Sequence, residues 1–166
     1  KQMVERFAEL KIDALLVSHL PNIRYLTGFT GSNALLLVTP RDAVFITDPR
    51  YTIQAKQETG LTPRIVQGKS PWTAIPAIVK RRKLRRVGFE TARATHAQFE
   101  MVKDAAKLVP LRDVVETPRM VKSADEIARI RRSVEINSRA YEKALSRYRP
   151  GMTELELAAE INRLQL

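Results

Sequence analysis

The sequence predicts an α/β fold in which a mixed β-sheet is flanked by helices. Three observations carry that prediction. Short apolar runs at residues 13–17, 34–38, 43–47 and 86–89 are bounded by turn residues, as strands buried on both faces are. Other stretches repeat their apolar residues every three or four positions, the helical period. Helix and strand alternate from the start, since Met3, Val4, Phe7 and Leu10 form one helical stripe and a buried strand follows at once.

The clearest local signal is the hairpin. Ala34–Val38 and Ala43–Thr47 are bridged by Thr39, Pro40, Arg41 and Asp42, and Pro40 suits the second position of a type I turn because its ring presets φ. Before it, Pro21 is tolerated in the first turn of a helix, and residues 22–26 read as a single turn aiming Tyr25 and Leu26 at the core. The loop Thr27-Gly28-Phe29-Thr30-Gly31-Ser32-Asn33 is small and polar except for Phe29. An aromatic between two glycines reads either as an exposed contact or as a cover for the sheet edge.

After the hairpin, Asp48 is a helix cap and Pro49 a first helical residue, with Gly60 as the stop. Arg50 and Tyr51 fall in the first turn, where a cation opposes the helix dipole. That small conflict marks Arg50 for another use, unless Asp48 offsets it. Residues 62–67 are a strand candidate. Gly68-Lys69-Ser70 lacks the upstream glycine of a phosphate loop. A helix starts at Ser70-Pro71, with Pro76 kinking or delaying it. Thr95 caps the next helix, residues 108–111 form the last strand, and residues 113–117 are a connector.

Ser123-Ala124-Asp125-Glu126 is a capping box opening a long helix. Ile127, Ile130, Val134, Asn137, Tyr141, Leu145 and Tyr148 form its continuous seam. Pro150-Gly151 stops it, and Thr153 to Glu156 is a second capping box. A small sheet domain ending near Leu111 cannot cover the whole seam, so part of it is expected to stay exposed and to drive self-association.

The 166 residues carry a net charge of +11 and no cysteine, which rules out a disulfide framework and any Cys-based metal site. The excess centres on Lys80-Arg81-Arg82-Lys83-Leu84-Arg85-Arg86. No aromatic interleaves this run, so base stacking is unsupported, and the run is expected to be a helix C-terminus and its turn. No apolar stretch approaches the roughly 20 residues a bilayer requires, and the opening residues do not form a signal peptide. His19 lies just beyond a strand end, a frequent ligand position, but has no carboxylate near it in sequence. His-x-x-x-His, His-Glu-x-x-His and Gly-x-Ser-x-Gly patterns are all absent. Asp48 and Glu90, at a cap and a strand end, are expected to be structural, so the chain reads as a domain without a catalytic site.

Tyr25-Leu26-Thr27-Gly28-Phe29, Thr47-Asp48-Pro49-Arg50-Tyr51, Val87-Gly88-Phe89-Glu90 and the run Arg119 to Ile127 occur here in a telling order. Together they resemble the amino-terminal domain of the Xaa-Pro peptidase family, which includes prolidase, aminopeptidase P and the non-peptidase creatinase. The resemblance implies that residues 1–118 are the creatinase/prolidase-type amino-terminal domain. Residues 119–166 would be the linker and first helices of a pita-bread catalytic domain that continues past Leu166, and the natural start would precede Lys1. It further implies a cytoplasmic homodimer acting on proline-containing peptides, with no nucleic-acid or membrane partner. Two divalent metal ions (manganese, cobalt or zinc) would sit in the catalytic domain and none in this part. The site residues implied are a cleft rim or subunit contact at Phe29, Thr30, Ser32, Asn33, Arg50 and Tyr51. A creatinase-type amidinohydrolase domain and a stand-alone binding module are the alternatives.

Overall fold

The computed structural model describes residues 2–68 and 70–165. The Gly68-Lys69-Ser70 loop therefore lies partly outside the described residues, as do both chain ends. The chain divides into two compact units, one up to Met120 and one from Val121.

The first unit is built on a six-stranded mixed sheet in the order β4-β3-β2-β1-β5-β6. Its strands are β1 (Ala14–Val17), β2 (Ala34–Val38), β3 (Ala43–Thr47), β4 (Arg64–Ile65), β5 (Arg86–Glu90) and β6 (Lys107–Leu111). β1, β2 and β3 pair antiparallel, with Leu16 opposite Leu37 and Leu36 opposite Phe45. β3 with β4, β1 with β5 and β5 with β6 pair parallel.

The unbroken apolar runs are explained by burial on both faces. Successive side chains point to opposite sides. Leu15, Val17, Leu36 and Phe45 therefore join Phe7, Ile23, Phe29 and Ala55 in one layer. Ala14, Leu16, Leu35, Leu37 and Ile46 join Trp72, Ile75, Ile78 and Val102 in the other. The first layer is closed by α2 (Leu20–Thr27) and α3 (Thr52–Thr59), the second by α4 (Ile75–Arg81) and α5 (His96–Val102).

Several boundaries differ from the sequence expectation, each for a local reason. The first helix, α1, covers only Gln2–Glu5, and residues 6–11 continue as hydrogen-bonded turns ending in Lys11 at φ 51°. The single turn expected at residues 22–26 is the eight-residue α2, which buries Asn22 and Ile23 and leaves Tyr25 largely exposed. Strand β4 is just two residues. Pro76 delays its helix: residues 71–74 form a 3-10 turn and the α-helix begins at Ile75. The connector contains a short helix, α6 (Glu116–Met120). The basic run is a helix end and its turn. Lys83 takes a left-handed conformation at φ 53°, Arg82 pairs with Asp42 at 2.6 Å, and the Arg85 and Arg86 amides donate to Asp13.

The second unit is a helix pair, α7 (Ala124–Leu145) and α8 (Glu154–Gln165). The Ser123/Glu126 capping box is formed. Ala140 and Ala144, small residues one turn apart, are buried, and Glu160 of α8 pairs with Arg147 and Arg163. Ile127, Ile130, Val134, Tyr141, Leu145 and Tyr148 are exposed along α7.

Leu16 sits at the sheet centre with neighbours on both sides, so truncation there leaves a cavity that the strands cannot close. Leu16→Ala is expected to cost about 2–5 kcal/mol in chemical denaturation of the chain.

Candidate functional site

The loop end of the sheet, where β3 finishes and α2 hands over to β2, gathers all six residues singled out in the sequence. Gly28 ends α2 at φ 81°, a left-handed position that glycine takes without strain. The chain then turns inward, and of the two readings of Phe29 the structure takes the packed one. Phe29 is 1% exposed. Its ring meets Phe45 edge-on at 4.9 Å and Tyr51 edge-on at 5.5 Å, the favoured arrangement of aromatic quadrupoles. Phe29 is thus a core anchor, and the aromatic nearer the surface is Tyr51. Gly31 is required by closeness: a Cβ there would lie 2.3 Å from the Phe29 ring and 2.8 Å from Tyr51.

The remaining loop residues form a polar surface tied down at each step. Thr30 donates from its backbone N–H and its hydroxyl to Glu58 of α3, at 2.8 and 2.7 Å. The hydroxyls of Ser32 and Tyr51 lie 2.7 Å apart. Asn33 donates from Nδ2 to Asp48 at 2.7 Å, and its carbonyl accepts from the Thr47 hydroxyl at 2.6 Å.

Asp48 resolves the dipole conflict of Arg50. One carboxylate oxygen accepts from the Arg50 backbone N–H and Nε, both at 3.0 Å, and the other from Arg50 Nη2 at 2.8 Å. The guanidinium also lies over the Tyr51 ring at 5.2 Å. The Arg50 hydrogen bonds hold the Asp48 carboxyl well below its ordinary value against the opposing effect of burial, with Asn33 adding to them. The Tyr51 phenol is lowered by the Ser32 contact and the Arg50 charge. Asn33, Asp48, Pro49 and Arg50 line an open groove of about 540 Å³ together with Gly68, Ser70 and Pro71.

A second polar cluster lies at the carboxyl ends of the parallel strands β1 and β5. Glu90, 6% exposed, accepts from the Ser18 amide at 2.6 Å, the His19 amide at 2.9 Å and Asn22 Nδ2 at 2.5 Å. Asn22 also donates to Glu116 at 2.9 Å and accepts from Arg119 at 2.6 Å. His19 does gain a carboxylate neighbour, since Glu116 lies 3.8 Å from its Nδ1. The sequence separation of nearly a hundred residues hid it. Burial pushes the Glu116 carboxyl up, but Asn22, its own backbone amide and the nearby Arg93 and His19 outweigh that and leave it lowered. Glu58, Asn22 and Glu116 were not singled out in the sequence, because none sits in a motif and each acts through a distant partner. Among the described residues, no group of three or more His, Asp or Glu side chains is placed to hold a metal ion. No helix among the described residues is long and apolar enough to cross a membrane.

Fold and site together define an α/β domain whose loop end carries a fixed polar surface. The chain belongs to the creatinase/prolidase N-terminal domain family, whose model matches residues 1–121. It is 35% identical over 158 residues to the peptidase YqhT of Bacillus subtilis (strain 168), covering 93% of this chain and 45% of that protein. The solved Xaa-Pro dipeptidase from Bacillus anthracis superposes with a TM-score of 0.88 at 30% identity, over 99% of this chain and 47% of the other. The X-Pro aminopeptidase from Thermotoga maritima MSB8 gives 0.84 at 32%, over 97% and 48%. The chain therefore spans about half the length of these relatives.

The pH dependence of Asp48 is testable. Its folded-state value is depressed, so the stability it contributes is present above its ordinary value of 3.8 and is lost as pH falls through the lower folded value. Asp48→Asn should lower the melting temperature at neutral pH by about 2–4 °C. It should also flatten the loss of stability below about pH 4. Parallel acid profiles for variant and wild type would show that the pair contributes nothing.

Proposed function

We propose that this chain is the non-catalytic amino-terminal domain of an Xaa-Pro dipeptidase or aminopeptidase. The whole protein would hydrolyse peptide bonds involving proline, using two divalent metal ions held by residues outside the chain. The observation that carries this is the match of nearly the whole chain to about half of an Xaa-Pro dipeptidase and of an X-Pro aminopeptidase, together with the N-terminal domain family model over residues 1–121. Within that protein the domain would serve subunit pairing and border the substrate cleft, with Thr30, Ser32, Asn33, Arg50 and Tyr51 as the bordering surface and Phe29 as its anchor. A polar, aromatic and Arg-bearing surface of this kind suits an interface. A cytoplasmic location is part of the same proposal, in line with the N-terminal domain of the cytoplasmic peptidase PepQ from Mycobacterium tuberculosis H37Rv, to which the chain is 30% identical with a TM-score of 0.64.

The test uses a Gly-Pro-type dipeptide and a longer Xaa-Pro peptide with added manganese. A protein carrying this chain together with the half its relatives add should turn over one of them, and the 166-residue chain should turn over neither. Metal-dependent turnover by the chain alone, or none by the longer protein, refutes the proposal.

Pairing has its own measurement. The chain at tens of micromolar should scatter light as more than a monomer, because the α7 seam is apolar and each large side chain buried on pairing contributes about 1.5–3 kcal/mol. Ile130→Glu with Val134→Glu should return it to monomer with the sheet unit still folded. A monomeric wild-type chain, or an unchanged oligomer in the double variant, counts against pairing through α7.

A further inference from the structure

Glu58 belongs to no motif and is exposed on α3, yet it holds an exposed residue of the loop, Thr30. Both of its oxygens are engaged by Thr30, one by the backbone N–H at 2.8 Å and one by the hydroxyl at 2.7 Å. Gln54, one turn earlier on the same helix, donates to the Thr30 hydroxyl at 2.9 Å and to Glu58 at 3.1 Å, closing a three-membered ring of hydrogen bonds. The helix approaches the loop from its carbonyl side as well, since a Cβ on Gly28 would lie 3.3 Å from the Glu58 carbonyl. The inner half of the loop is fixed separately by Phe29 and by the Ser32–Tyr51 contact. Thr30 is the residue these inner ties leave out. Without Glu58, nothing among the described residues except the Gln54 amide would fix its hydroxyl, and its N–H would face water.

We infer that Glu58, with Gln54 beside it, is a positioning residue that fixes Thr30 and so holds loop 28–33 in the shape in which it borders a peptide substrate. The last clause rests on the peptidase function proposed above; the clasp itself does not. Acceptor chemistry is essential at this position. A carboxylate offers two oxygens to two donors, glutamine offers one, and alanine none.

Two measurements on Glu58→Ala and Glu58→Gln test it. In the 166-residue chain, amide exchange at Thr30, Gly31 and Ser32 should quicken by about tenfold in the alanine variant and by less in the glutamine variant, with β1 and β2 unchanged. Equal rates in wild type and Glu58→Ala would overturn the clasp. In the longer protein, Glu58→Ala should raise KM for an Xaa-Pro peptide by about fivefold with kcat within about twofold, and Glu58→Gln should recover part of the loss. Faster exchange with an unchanged KM would overturn the positioning role. An inactive wild-type longer protein would instead remove the peptidase proposal, while a response of exchange at Thr30 to Glu58 would still uphold the clasp.

Discussion

A buried carboxyl group ties the end of β5 to the segment that leaves β1. Glu90 ends β5, the strand that joins the antiparallel hairpin side to the parallel side through β1. A charge removed from water is costly unless hydrogen bonds replace its hydration. Glu90 obtains them from the Ser18 and His19 amides, the Ser18 hydroxyl and Asn22. Those donors lie in the turn from β1 into α2 and in the first turn of α2, so the contacts of Glu90 fix where α2 begins. That in turn places Asn22, fully buried, between Glu90 and Glu116. The helix α6 is drawn to the same point, and the loop after α2 inherits its starting position. One carboxyl group at one strand end is thus linked to the turn after β1 and, through Asn22, to α6.

The sequence showed some of this and concealed the rest, and the division follows the range of the interactions. The hairpin, the caps at Asp48, Ser70, Thr95 and Ser123 and the long helix α7 were legible because each depends on residues a few positions apart. The length of α1 was not: the stripe Met3, Val4, Phe7 and Leu10 meets the core equally well as a turn and a half followed by irregular backbone, since Phe7 is buried either way. α2 was underestimated because its buried face is carried by Asn22 and Ile23, and a buried Asn is invisible to an apolar pattern. Phe29 was ambiguous for a related reason. Two flanking glycines suggest an open loop, while the partners that bury the ring, Phe45 and Tyr51, come from other elements. Of the candidate site, the backbone positions were legible and the ties between them were not.

The same distinction accounts for Arg50. Read locally it is a misplaced cation at a helix start. Read in three dimensions it is the counter-ion of a capping carboxylate, spread over an aromatic face, and the cap and the cation stabilise each other. The positive charge therefore stays at the surface in a defined orientation. A lysine could balance Asp48 but could not make the same forked contact.

Chemical variety among the anchors explains how a short polar loop can keep one shape. Phe29 holds it by apolar burial, which neither salt nor pH weakens much. Asn33 and Arg50 hold its far end through Asp48, and Glu58 holds Thr30; both carboxyls lie below their ordinary values because of these contacts. Protonation in acid weakens each carboxylate tie and leaves the aromatic one in place. An anchored loop has little conformational freedom left to lose when another surface meets it, which lowers the cost of contact. The loop's position is set by side chains that come from α3, the turn after β3 and the core of the sheet.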